Sequence, residues 1–122
     1  MKNYDIIFYK KENGASPVFD YIESLFNNNS KKSRIERDKI IGYIDLLRNN
    51  GKSLGAPYIK HLVNDIWELR PRDNRILFFS WNGNKFVLLH LFKKRTQKTP
   101  KREIDKAVKE IEDFQRRNHS EN

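Results

Sequence analysis

The sequence predicts an α+β domain, on three observations. Apolar residues recur at helical spacing in two blocks, residues 17–48 and 101–114. Between those blocks, residues 58–92 divide into short aromatic and β-branched runs, and an Asn-Gly pair at 82–83 parts the last two of them. A single domain over residues 1–118 suits a chain of 122 residues, with residues 119–122 expected to form a flexible tail.

Each element has its own signal. Residues 4–9, YDIIFY, suit an opening strand, broken by Asn13-Gly14. Ser16-Pro17 then offers an N-cap followed by proline at the first helical position, with Val18, Phe19, Ile22, Leu25 and Phe26 as an apolar stripe. A second helix is expected from Ser30 to about Arg48, striped by Ile35, Ile40, Ile41, Ile44 and Leu47 and closed by NNG. The short NNNS link makes these two helices a hairpin. A short strand at 58–63 is expected to precede IWELR, RILFFSW and KFVLLHLF. Thr99 and Pro100 read as the cap and first residue of a third helix, striped by Ile104, Ala107, Val108, Ile111 and Phe114.

Charge narrows the function. The net charge of +9 sits on a chain that is 37% hydrophobic, so the mean hydropathy of −0.88 reflects a charged surface rather than a missing core. A basic domain points to an anionic partner, nucleic acid before membrane. The absence of cysteine removes disulfide and thiolate chemistry. No secretory leader or membrane span is legible, and a cytoplasmic location is the expectation.

Register places the charges. A two-residue type I′ turn at Asn82-Gly83 would pair Phe79 with Phe86, Leu77 with Leu88 and Arg75 with His90. A four-residue loop over residues 71–74 would pair Arg70 with Arg75 and Ile66 with Phe79. Arg70, Arg75 and His90 then share one face at one end of the sheet, and continued alternation adds Lys94. Opposed like charges destabilise by roughly 0.2–1 kcal/mol, and a bound anion would relieve the repulsion. The competing reading is that Glu68 or Asp73 neutralises an arginine and that His90 is a hydrogen-bonded core residue; a one-residue slip would also move Arg70 to the other face. Six basic residues, Lys93, Lys94, Arg95, Lys98, Lys101 and Arg102, run from the last strand into a helix N-terminus, where free amides favour anions.

At these residues the chain resembles a known family. WELR, RILFF and LLHLFKKRTQKTPKREI, in this order, are similar to the RelE/ParE toxin superfamily and to its phage-derived HigB-like branch of type II toxin-antitoxin systems, over about residues 4–114. The resemblance implies a RelE-like fold: a small antiparallel sheet with an N-terminal strand, an α-hairpin on one face, a basic cleft on the other and a C-terminal helix. It implies a ribosome-dependent endoribonuclease, an mRNA interferase, held inactive by a cognate antitoxin, a HigA-like helix-turn-helix protein. Carried over by position, Arg70, Arg75, His90 and Lys94 would be catalytic, and Lys93, Arg95, Lys98, Lys101 and Arg102 would bind RNA. One departure is plain: RelE-type enzymes often use a tyrosine near the last helix, and no tyrosine follows Tyr58. His90, with Lys94 as rival, is the substitute proton donor.

The implied chemistry needs no metal or other cofactor. His61, His90 and His119 lack ligand spacing, and RNA supplies its own 2′-OH nucleophile. Arginines suit charge stabilisation on phosphorus, while a lysine crowded by cations could act as base, a role for which Lys94 is placed. Two other classes fit the composition: a ParE-like inhibitor that binds DNA gyrase without catalysis, and a simple nucleic-acid-binding module. The QKTP element favours the nuclease.

Overall fold

A computed structural model describes residues 3–118; the expected tail at 119–122, including His119, lies outside the described residues. The chain runs β1 (Asp5–Phe8), α1 (Pro17–Phe26), α2 (Lys31–Asn50), a single 3-10 turn (Gly51–Leu54), β2 (Ile59–Val63), β3 (Ile66–Leu69), β4 (Asn74–Trp81), β5 (Lys85–Lys93) and α3 (Lys101–Asn118). The α+β class is as expected. The five strands lie in the order β1-β5-β4-β3-β2. Because β1 pairs parallel with β5, the sheet is mixed rather than wholly antiparallel.

Strand alternation divides the apolar residues between two covering layers. Ile76, Phe78, Phe86 and Leu88 meet the helical hairpin, which buries Val18, Ile22 and Leu25 from α1 and Ile40, Ile44 and Leu47 from α2. Leu77, Phe79, Val87 and Leu89 meet α3 through Ala107 and Phe114. Ala107 permits close approach, and Phe114 stands edge-on to Phe79 and Trp81. This second layer alters the implied architecture: α3 covers the face expected to be an open basic cleft, and the cationic surface is displaced to one end of the sheet. Ile35, assigned to the buried stripe of α2, is exposed. No described helix is long and apolar enough to cross a membrane.

The β4–β5 register differs from expectation in an informative way. Asn82 and Gly83 have the positive φ of a type I′ turn, at 53° and 80°. Yet Trp81 pairs with Lys85, not Asn84, because the Asn84 carbonyl accepts from the Asp5 amide at 3.0 Å. The connection is therefore three residues long, and Phe79 faces Val87 rather than Phe86. A bulge between Leu77 and Phe78 pairings then shifts the ladder again, so that Leu77 opposes His90 and Arg75 opposes Phe92. Two single-residue shifts restore the parity, so Arg75 and His90 share a face although they are not direct partners. The β3–β4 register follows expectation, with Glu68 opposite Leu77 and Leu69 opposite Ile76.

Caps also divide. Ser30 accepts from the Ser33 amide at 3.1 Å and starts α2 as read. Ser16 occupies the N-cap of α1, but its hydroxyl donates to the Tyr9 carbonyl at 2.8 Å. Thr99 is not the cap of α3. The Pro100 carbonyl accepts the Ile104 amide, and the Thr99 hydroxyl is committed to Glu68.

Gly51 ends α2 at φ 64° and ψ −153°, a backbone region essentially restricted to glycine. A Cβ there would stand 2.6 Å from the Tyr4 ring, which packs on Phe86 at 5.0 Å between centroids. Gly51→Ala is expected to lose about 1–3 kcal/mol of unfolding free energy. Gly42→Ala, mid-helix with nothing within 4 Å of the new Cβ, is expected to gain roughly 0.5–1 kcal/mol. Urea titration of both variants checks this, and equal effects would contradict it.

Candidate functional site

At the end of the sheet remote from the Asn82-Gly83 turn, β3 runs out at Leu69, β4 begins at Asn74 and β5 ends at Lys93. The segment from Lys93 to Pro100 crosses this end before entering α3. Its backbone is held at several points: the Lys94 amide donates to the Asp73 carbonyl at 2.7 Å, and the Thr96 hydroxyl donates to the Lys98 carbonyl at 2.7 Å. The Thr99 hydroxyl donates to Glu68 Oε2 at 2.6 Å.

Beneath this segment lies a cavity of about 230 Å³ lined by Glu68, Arg75, Phe92 and the whole run from Lys93 to Pro100, with Arg102 and Glu103. Six of the nine basic or histidine candidates thus meet in one place: Arg75, Lys93, Lys94, Arg95, Lys98 and Arg102. Only Glu68 and Glu103 oppose them within the lining.

Glu68 is the organising group of the floor, 2% exposed. Its Oε1 lies 3.5 Å from Arg70 Nε and 3.9 Å from Arg75 Nε. Arg75 is itself buried, and Nη1 donates to the carbonyls of Arg72 at 2.7 Å and Asn74 at 2.9 Å. Burial lowers the Arg75 pKa, the Arg70 charge lowers it further, and Glu68 and Asp73 oppose both. Arg70 adjoins the cavity through Glu68 without lining it.

His90 is placed differently from the rest. It is 1% exposed, with Nδ1 at 2.6 Å from Glu110 Oε1 and Nε2 at 2.9 Å from Glu103 Oε1. Both ring nitrogens are therefore engaged by α3, and the ring joins β5 to that helix. A neutral imidazole has one N–H, so two carboxylate contacts require one further proton within the triad. The outer member, Glu103, reaches the cavity, where its Oε2 stands 3.9 Å from Arg102 Nε.

Two of the cations point away from the cavity. Lys101 is far out in solvent and bonds Asp105 at 2.9 Å. Lys93 lines the cavity, but its ammonium turns to Glu36 of α2 on the opposite face of the sheet. Glu36 also accepts from Tyr21 and, at 2.9 Å, from Asn74 Nδ2. Burial works to raise the Glu36 pKa, but the hydrogen bonds from Lys93, Tyr21 and Asn74 outweigh it and bring it down to about 2. For Lys93, burial pulls downward and the bonds to Glu36 and Tyr21 lift the pKa above its ordinary value.

Glu103 and Glu110 were not singled out from sequence. Their signal is visible in retrospect: they are seven residues apart and bracket Ala107 on the face of α3 that meets the sheet. Glu110 is buried and Glu103 half-buried beside that apolar stripe, where acids require partners, and His90 is the partner of both. Among the described residues no group of three or more His, Asp or Glu is arranged to hold a metal ion.

A family model described as phage derived protein Gp49-like (DUF891) matches residues 27–112. That span contains α2, strands β2 to β5, the segment over the cavity and Glu103 and Glu110. No curated protein matches the chain.

Glu36 gives a pH dependence with a definite sign. Folding favours its carboxylate form, so its contribution is complete above the ordinary value of 4.5 and fades as pH falls toward about 2. Glu36→Gln removes this contribution. Between pH 4.5 and about 2, the stability gap between wild type and variant should narrow steadily in urea titrations; a gap independent of pH across that window would contradict the assignment.

Proposed function

The chain belongs to the family of the phage-derived protein Gp49-like, and from that premise we propose that it is the toxin of a type II toxin-antitoxin system, an endoribonuclease that cuts translated mRNA. This family is related to RelE-type toxins. The observation that carries the proposal is the gathering of Arg75, Lys94, Arg95, Lys98 and Arg102 around one cavity whose floor is a buried, doubly arginine-flanked carboxylate. Such a site attracts a phosphodiester and supplies directed donors to it.

The reaction follows from the groups present. The 2′ oxygen attacks phosphorus, the P–O5′ bond breaks, and the products are a 2′,3′-cyclic phosphate and a free 5′-OH. Arg75 and Lys98 stabilise charge on the non-bridging oxygens. Glu103 takes the 2′-OH proton: one of its oxygens is held by His90, and the residue borders the cavity. Lys94, an exposed ammonium at the rim, returns a proton to the 5′ oxygen. In this assignment His90 positions Glu103 and does not touch substrate, because both of its nitrogens face carboxylates. Arg95 and Arg102 hold backbone phosphate, whereas the ammonium of Lys93 stays with Glu36. The partner is a cognate antitoxin, and the exposed Phe19 and Phe26 of the helical hairpin offer it an apolar surface away from the cavity.

Lys94→Ala should abolish growth inhibition at matched expression with the fold intact. Cleavage of ribosome-bound message should fall by about 10²–10⁴, the usual contribution of a positioned general acid. RNA recovered from cells expressing the wild type should carry 2′,3′-cyclic phosphate ends. Altered DNA supercoiling with intact RNA would instead favour a gyrase inhibitor and end the ribonuclease reading.

Lys98 and Lys101 separate contact from mere charge. Lys98 lines the cavity, whereas Lys101 is bound to Asp105 outside it. Lys98→Ala should lower the salt slope of single-stranded RNA binding by about 0.7, and Lys101→Ala by much less. Equal effects would mean that the run acts only as a diffuse basic surface.

A further inference from the structure

We propose that a second cavity, on the opposite side of the same sheet end, is a subsite for a nucleotide flanking the one that reacts; this rests on the ribonuclease reading and extends it. The cavity, about 360 Å³, lies between the first turns of α2 and the start of β4. That volume falls in the range of small-ligand sites, roughly 300–1,000 Å³.

Strand alternation creates the second site from the same segments that build the first. Asn74 and Lys93 are direct partners across the β4–β5 ladder, each one residue from a group of the cleft, Arg75 and Lys94. One member of each dipeptide faces each side. A single-stranded RNA crossing the end of the sheet would therefore meet basic groups on both sides, with Lys93 bordering both cavities.

The chemistry of the lining points to a nucleotide. Lys31, Lys32 and Arg72 are exposed at the rim and make no ion pair among the described residues, unlike Lys93, which is bonded to Glu36. They are available to phosphate. Arg72 adopts a left-handed backbone at φ 57°, which directs its carbonyl to Arg75. The deeper lining supplies a second and independent observation. Asn74 is 2% exposed, and its Nδ2 donates to Glu36 Oε2, which settles the orientation of the amide. Its Oδ1 is buried with no hydrogen-bond partner among the described residues. A buried acceptor without a donor is unfavourable, and the exocyclic amino group of a base would satisfy it. Ile35 adds an apolar wall against which a base or sugar can lie. Cations for phosphate, an acceptor for a donor and an apolar wall together describe a nucleotide better than a bare anion.

The test uses the full chain and a 2′-O-methylated RNA nonamer, which binds but cannot react. In fluorescence anisotropy, the triple variant Lys31→Ala, Lys32→Ala, Arg72→Ala should bind more weakly. Its salt slope should be lower by about 0.7 for each phosphate contact removed. Lys60→Ala, an exposed change on β2, serves as the control for general charge and should match the wild type. In labelled protein, the Asn74 side-chain amide resonance should move on titration with the nonamer and stay still in the triple variant. An unchanged slope, or a silent Asn74 while the amides of residues 94–98 move, would overturn the subsite and leave the cleft intact. Wild type that fails to bind RNA would overturn both readings. A response of Asn74 to an acidic peptide and not to RNA would assign the cavity to a protein partner and overturn the proposal.

Discussion

Arginines brought together at the adjoining ends of two paired strands repel each other, and the carboxylate of Glu68 is what allows Arg70 and Arg75 to share one end of the sheet. It lies within 4 Å of both guanidinium Nε atoms and receives the Thr99 hydroxyl on its other oxygen. Those contacts tie three parts of the chain together: the end of β3, the start of β4 and the segment leading into α3. Removing the carboxylate would leave a buried arginine uncompensated, which is generally costlier than the pair itself is stabilising. The basic rim is thus built upon a buried acid, and the net positive charge of the cavity depends on that acid being outnumbered rather than absent.

The same arrangement recurs one layer deeper. His90 is held between Glu103 and Glu110, so α3 is fastened to β5 by polar contacts in addition to the packing of Ala107 and Phe114. Buried polar networks are tolerated when their members find partners, and they discriminate strongly against misplaced helices because a slip would leave charges unpaired. Apolar contacts alone would allow α3 to slide along the sheet with little loss. The imidazole and its two carboxylates define one axial position, and that position sets where Glu103 and the preceding basic segment lie.

How much of this was legible in the sequence follows from the range of the interactions involved. Helices, strands and the α+β class were readable because periodicity and turn residues are local. The shared face of Arg70, Arg75 and Lys94 depends only on alternation, which survives a pairing error of even size. That is why the β4–β5 register could be wrong by one residue at the turn and by two at the far end while Arg75 and His90 still faced the same layer. The partners of those side chains were not readable. Glu36 meets Lys93 across 57 positions, and Thr99 meets Glu68 across 31. The role of Thr99 is instructive, since its cap signal is locally sound but a buried carboxylate outcompetes the helix amides for its hydroxyl. Local rules rank the choices a side chain has with its neighbours, and tertiary structure adds choices they do not contain.

Preorganisation explains why the cations can be exposed and yet positioned. Lys94, Arg95 and Lys98 have long solvated side chains, which alone would make a diffuse surface of little directional value. Their backbone, however, is fixed by bonds from the Lys94 amide, the Thr96 hydroxyl and the Thr99 hydroxyl to acceptors that are themselves part of the ordered structure. Only the outer rotamers remain to be ordered when an anion arrives, so the entropic cost of binding is confined to the side chains. The buried groups carry the opposite economy: Arg75 and Glu68 are already immobile and already desolvated, and they line the floor of the cavity around which the mobile cations gather. A phosphate there would find fixed charge beneath it and adaptable charge above, which suits a substrate whose reacting atom must be held in one place while the flanking chain varies in sequence.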